Sequence, residues 1–190
     1  MSDDARLIER TLAGDPSAFG CLVQKYQDRL YNALVQIAGG AAGAREDARD
    51  VAQDAFVQAF VKLETFRGSS QFYTWLYRIA FNLHVSRKRR QRPSVSIDRS
   101  REACGDEPSE DLPPAGDLEQ QERAVQVREA LALLSEEHRT ILVLREIDDL
   151  DYEAIAEAMD IPIGTVRSRL HRARLQMREL LEQRVKEDLI

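Results

Sequence analysis

A chain of 190 residues, 43% hydrophobic and 32% charged, has a globular composition and is long enough for one domain or for two small ones that each bury a core. No apolar run approaches a membrane span, and the N-terminus MSDDARLIER lacks the basic-then-apolar order of a signal peptide, so no membrane insertion and a cytoplasmic location are expected. The net charge of −6 is unevenly spread: residues 1–92 carry 14 basic against 10 acidic side chains, 93–117 carry 2 against 7, and 118–190 carry 11 against 16, so local patches matter more than the sum.

A short helix is expected over 6–13, ended by Gly14. Asp15-Pro16 then signals a new start, a capping acid followed by proline at the first helical position. Phe19, Leu22, Val23, Tyr26, Leu30, Ala33, Leu34 and Ile37 keep helical spacing until Gly39-Gly40. Cys21, on this helix, is expected to be a small core residue. It and Cys104 lie far apart with no CxxC, which indicates neither a zinc site nor a disulfide.

The stretch EDARDVAQDAFVQAFVKLETF resumes the period with Ala48, Val51, Ala52, Ala55, Phe56, Ala59 and Leu63 inward, and Asp47, Asp50, Gln53, Asp54 and Gln58 on the other side. After the break at 66–70 a further helix runs from 71 to about 89, with Phe72, Trp75, Leu76, Ile79 and Leu83 inward. Between Thr65 and Ile97 there is no acid, whereas Arg67, Arg78, Arg87, Lys88, Arg89, Arg90 and Arg92 are basic and Phe66, Phe72, Tyr73, Trp75, Tyr77 and Phe81 interleave with them. Such a segment suits a single-stranded nucleic acid, cations neutralising phosphates and rings receiving unstacked bases. Phe72, Trp75 and Leu76, at helical spacing, are expected to be core.

Residues 93–117, with four of the six prolines and an acidic excess, read as a flexible linker. From Leu118 a second unit begins, with Val127, Leu131 and Leu134 on one side and Ser135 capping a helix that buries Ile141, Leu144 and Ile147. Leu150 to Met177 then reads as helix, turn, helix. Tyr152, Ile155, Ala156 and Met159 share one face behind an Asp151 cap, and Ile161-Pro162-Ile163-Gly164 breaks the period. Thr165 is expected to cap a last helix that buries Val166, Leu170, Ala173 and Met177 and turns Arg167, Ser168, His171, Arg172 and Arg174 outward. Five arginines from Arg167 to Arg178 with no acid among them favour duplex DNA over an ordinary helical hairpin with a solvated face. The fold class is therefore all-α, two small helical domains at 1–92 and 118–190 joined by the linker.

DARDVAQDAFVQAF, FRGSSQFYTWLYRIAFNLHVSRKRR and LREIDDLDYEAIAEAMDIPIGTVRSRLHRARLQM closely resemble regions 2.2, 2.3 to 2.4, and 4 of the extracytoplasmic-function (ECF, group IV) bacterial RNA polymerase sigma factors. The resemblance implies that Asp50, Gln53 and Asp54 dock on the β′ clamp helices of core polymerase and that region 4 meets the β flap. It implies that Asn82, with the loop Phe66, Arg67, Ser69 and Ser70 and with Arg78, Arg87 and Lys88, melts and holds the non-template strand of the −10 element, Asn82 offering an amide to a flipped base in a pocket that the loop 66–70 completes. Arg145, Thr165, Arg167, Ser168, His171, Arg172 and Arg174 would serve the −35 duplex, and an anti-sigma factor is a further partner the family allows. Asp160 stands where many helix-turn-helix units have glycine, and His171 where relatives often have an aromatic ring.

A polymerase-independent helix-turn-helix regulator is the alternative, which leaves the basic-aromatic segment unused. An enzyme is disfavoured: G-x-x-x-x-G-K, G-x-G-x-x-G and H-E-x-x-H are absent and His84, His138 and His171 are scattered without metal spacing, so no cofactor or metal is expected.

Overall fold

The computed structural model describes residues 2–39, 43–91 and 118–187. The linker expected at 93–117, with Cys104, and also Arg92 and Gly40 lie outside the described residues. Helix α1 (Asp3–Leu12) starts three residues before the expected position because the Ser2 hydroxyl accepts the Ala5 N–H and Asp3 and Asp4 occupy the positive first turn. The Asp15 carboxylate accepts the Ser17 N–H ahead of Pro16, and α2 (Pro16–Ala38) runs to Gly39, whose φ of 69° ends it. Helix α3 (Ala44–Val61) passes through a 3₁₀ turn at Leu63–Thr65 before α4 (Phe72–Gln91).

The second unit holds α5 (Leu118–Leu133), α6 (Glu136–Leu142), α7 (Tyr152–Met159) and α8 (Ile163–Glu187). Helix α6 does not keep one period to residue 147. It widens into a π-type turn over Val143–Ile147, where the Asp148 N–H bonds the Val143 carbonyl and the Leu150 N–H the Leu144 carbonyl. The wider turn rotates Ile147 outward, to 52% exposure, and brings Leu142 and Val143 inward beside Ile141 and Leu144. Val127, also expected inward, is exposed, as is Cys21, which lies on the solvent side of α2. Nor does Thr165 cap the last helix: α8 begins at Ile163, with the Thr165 and Val166 N–H groups already bonded to the Pro162 carbonyl. The sharp turn belongs instead to Asp160, left-handed at φ 53° and ψ 49°. Asp is one of the few residues other than glycine that tolerates that conformation.

Two faces of α4 are buried. Phe72, Leu76 and the half-buried Ile79 and Leu83 complete the core with α2 and α3, as expected. Tyr73, Tyr77 and Ala80, one step around the helix, are buried against the second unit, where α4 packs on α7. The buried residues of both units consequently form one continuous cluster.

Leu144→Ala should lower the unfolding free energy by about 2–5 kcal/mol, the cost of a cavity at a fully buried leucine, whereas Ile147→Ala should change it by less than about 0.5 kcal/mol. Urea titration of the two variants tests the outward rotation; equal losses would restore the uninterrupted helix.

Candidate nucleic-acid and polymerase interfaces

On α8, Val166, Leu170 and Ala173 are buried and set the rotation of the helix, which leaves Arg167, Ser168, His171 and Arg172 exposed together on the opposite side. The Ser168 hydroxyl bonds back to the Thr165 carbonyl at 3.1 Å, and Thr165 itself is half-buried. Arg174 is drawn away from this group by Glu146, whose Oε1 accepts from Nε and Nη2 at 3.0 and 2.7 Å. Arg145 is likewise engaged, donating to Asp149 at 3.1 Å and to the Leu150 carbonyl at 2.9 Å, so it braces the turn leading into α7. The absence of acid between Arg167 and Arg178 thus does not leave all of these arginines free: Glu137 and Glu146, from α6 and the π turn, reach Arg169 and Arg174.

On α4, exposed Asn82 and Arg78 border a pocket of about 380 Å³ that Trp75, from the same helix, and Gln58, Lys62 and Thr65, from α3 and the turn after it, also line. The expected loop does not complete this pocket. Phe66 instead packs its ring on Phe72 and Trp75, at 6.0 and 5.2 Å between centroids, and the Ser70 hydroxyl donates to Glu157 of α7 at 2.8 Å. Apolar attraction and an acid from the other unit thereby turn the loop ends away, while Arg67 and Ser69 remain exposed. Arg87 bonds Asp47 and Asp50 at 3.1 and 2.8 Å, joining a residue expected to meet DNA with one expected to meet polymerase, and Lys88 is paired with Glu136.

Asp50, Gln53 and Asp54 share the exposed face of α3, as their spacing requires. That stripe continues into Val57 and Val61, 58% and 74% exposed, with Phe60 beside them. Sequence periodicity passed over these residues because it was used to find the inward face; apolar residues on the outward face were the available signal. A second unpredicted feature is an apolar groove of about 680 Å³ between α6 and α8, lined by Leu142, Met177 and Leu181 and rimmed by Glu146, Arg174, Arg178 and Glu182.

Between the two units, Asp148 is the most polar buried contact. Its carboxylate accepts from the Tyr73 hydroxyl at 2.7 Å and from Arg29 Nε at 3.3 Å, and its carbonyl accepts from Arg29 Nη2 at 2.5 Å. Nearby, Arg139 reaches past Gly39 to the Ile37 carbonyl at 3.1 Å; a Cβ at Gly39 would lie 1.3 Å from the Arg139 guanidinium.

The family model for sigma-70 region 2 matches residues 22–93, and that for sigma-70, region 4 matches residues 124–177. The chain is 36% identical over 188 residues to the ECF RNA polymerase sigma-E factor of Haemophilus influenzae, covering 96% of this chain and 95% of that one. It is 39% identical over 197 residues to the RNA polymerase sigma-H factor of Pseudomonas aeruginosa, with 98% of each covered. This chain is an ECF sigma factor of the sigma-70 family. A sigma factor directs core RNA polymerase to specific promoters for transcription initiation, and the match to both sigma-70 regions favours that function over a regulator that works without polymerase. The solved sigma factor RpoE in complex with the anti-sigma factor NepR from Bartonella quintana superposes with a TM-score of 0.67 at 25% identity, covering 86% of this chain and 96% of that one. No helix among the described residues is long and apolar enough to cross a membrane, and no cluster among them could hold a metal.

The polar contacts between regions 2 and 4 of the sigma factor have shifted proton affinities. Burial raises Asp148 above the ordinary carboxylate range, against the opposing bonds from Tyr73 and Arg29, and burial raises Tyr73 and Tyr77 as well. His84 Nε2 lies 3.3 Å from Glu136 Oε1, within ion-pair range but without hydrogen-bond geometry. Burial therefore prevails over the attraction of Glu136 and holds His84 below the usual histidine value of 6.5.

A histidine held neutral by folding contributes stability above its unfolded value and loses it as pH falls below that value. Unfolding free energy should therefore decline as pH is lowered from about 7.5 to about 5.5, and His84→Gln should flatten that part of the decline. Urea titrations of both proteins across the range provide the check, and parallel curves would show that His84 does not contribute. Asp148, shifted the other way, acts equally in both proteins and cancels from the comparison.

Proposed function

We propose that this sigma factor is a group IV member that works without catalysis in the cytoplasm, gripping a promoter at two points. The boundaries 1–92 for region 2, 93–117 for the tether and 118–190 for region 4 define the two grips. What carries the reading is the pair of exposed constellations on separate units: Arg167, Ser168, His171 and Arg172 on one side of α8, and Asn82 with Arg78 at a pocket on α4.

Helix α8 enters the major groove of the −35 element, where Arg167 and Arg172 suit guanine O6 and N7 and Ser168 and His171 suit either a base edge or the backbone. Thr165, Arg145 and Arg174 act at phosphates, the last two after leaving Asp149 and Glu146. At the −10 element Asn82 takes the edge of a flipped base in the pocket, and Lys62 joins Arg78 in neutralising the strand beside it. Arg67 and Ser69 meet the strand from the loop, while Phe66, Ser70, Arg87 and Lys88 do so once their present partners are released.

The α3 stripe Asp50, Gln53 and Asp54, extended by Val57 and Val61, docks on the β′ clamp helices of core polymerase, and the groove of Leu142, Met177 and Leu181 receives an apolar segment of the β flap. A mixed polar and apolar stripe is what a stable protein interface needs at its rim and centre. The complex of the sigma factor RpoE with its anti-sigma factor supports a similar partner here.

Run-off transcription with core polymerase and promoters selected by the holoenzyme tests the reading; absence of specific initiation from every selected promoter would refute it. Within that assay Arg167→Ala should weaken −35 binding by about 1–3 kcal/mol and relax choice at one upstream base pair. An unchanged footprint and base preference would contradict the assigned face. Asn82→Ala should leave duplex binding intact and slow open-complex formation, read as reduced permanganate reactivity of the melted strand; wild-type reactivity would remove Asn82 from that role.

A further inference from the structure

We infer that Glu146 sets the sequence-independent part of this sigma factor's grip on duplex DNA: by holding Arg174 in an ion pair beside the proposed −35 reading face, it restrains a phosphate contact and leaves binding to depend on base readout. The inference deepens the −35 reading above and rests on it.

Arg174 follows Arg167 by seven residues and His171 by three, which is about two turns and about one turn along the same side of α8. Its charge does not reach that side unopposed. Glu146, from the π turn, accepts Arg174 Nε and Nη2 on a single carboxylate oxygen at 3.0 and 2.7 Å. Arg167 and Arg172 are exposed, and no ion pair engages them among the described residues. The two arginines that suit base edges are therefore unengaged, while the one that suits a phosphate is held.

Arg145, the other arginine assigned to a phosphate, is held in the same way. It donates to Asp149 at 3.1 Å and lies 5.9 Å from the centre of the Tyr152 ring. One short segment, the π turn and the residues just after it, thus supplies the acids for both phosphate arginines.

Folding does not require the Glu146–Arg174 pair. Its side chains are 49% and 52% exposed on the arginine and the glutamate, where an ion pair adds little stability. Val166, Leu170 and Ala173, all buried, already seat α8.

The effect of the pair falls on DNA instead. For Arg174 to meet a phosphate the pair must break, and the Glu146 carboxylate left behind stands near the backbone as a like charge. Both costs are the same whatever the bases are, because phosphates carry no sequence. Contacts of Arg167 and Arg172 with base edges do not share them. A duplex without those base contacts is consequently held weakly, and one that offers them is still held.

Holoenzyme binding to two promoters, one with a −35 element selected by the holoenzyme and one with that element scrambled, tests this across a range of salt. Glu146→Gln, which keeps the size of the side chain and removes its charge, should tighten binding to both by about threefold. It should also steepen the dependence of log affinity on log salt by about one, the signature of one more phosphate engaged. The ratio between the two promoters should stay that of the unaltered protein. Adding Arg174→Gln to Glu146→Gln should abolish both the gain and the added slope. A purely structural pair would shift the melting temperature and leave the slope alone. An unchanged slope, or a gain that survives the loss of Arg174, overturns the inference while leaving the −35 reading in place. Equal affinity of the unaltered holoenzyme for the two promoters would refute the −35 reading, and the inference with it.

Discussion

Helix α4 cannot be covered by one neighbour. Its apolar residues occupy two adjoining faces, Phe72, Leu76, Ile79 and Leu83 on one and Tyr73, Tyr77 and Ala80 on the other, and a single helix pair buries only one stripe. Helix α3, with the α2 rings Phe19 and Tyr26 against Phe72, takes the first face, and α7 of region 4 packs on the second, where Tyr73 also stacks on Tyr26 of α2. What remains is the third side, where Arg78, Asn82 and Ser86 edge an open pocket. One helix thereby joins the core of region 2, the seat of region 4 and the surface proposed to face a nucleic acid.

The charge distribution follows from that arrangement. A chain with six more acids than bases still presents basic surfaces, because many acids are used internally: Asp50 on Arg87, Glu136 on Lys88, Glu146 on Arg174. Arg67, Arg78, Arg167 and Arg172 stay exposed, and no ion pair engages them among the described residues. Exposed pairs of this kind are individually weak and readily exchanged for phosphate. These pairs therefore hold a reserve of cations that a phosphate backbone could recruit by displacing carboxylates.

Much of this was legible in the sequence, and what was not has local causes. The Asp15-Pro16 start, the inward faces of α2 and α3 and the Val166, Leu170, Ala173 stripe all follow from 3.6-residue periodicity and capping. Ile147 did not, because a π-type turn changes the period within a helix, and Thr165 did not, because Asp160 adopts the left-handed turn that glycine was expected to supply. The seam between regions was hidden for a different reason. Arg29 and Asp148 are 119 positions apart, and helical pattern carries no information about which apolar faces will meet. Tyr73 and Tyr77 could have given the signal, as apolar residues off the main stripe of α4, but they read equally well as rings for unstacked bases.

In the proposed function two grips act in one event on DNA, one on the melted −10 strand and one on the −35 duplex. Its most direct test is the promoter itself: insertion of five base pairs, about half a turn of duplex, between the −10 and −35 elements of a promoter transcribed by this sigma factor with core polymerase. Such an insertion moves the −35 element to the opposite side of the helix from region 4, and run-off transcript should fall at least about tenfold. Equal transcript from both promoters would mean that one grip is enough, and would contradict the account.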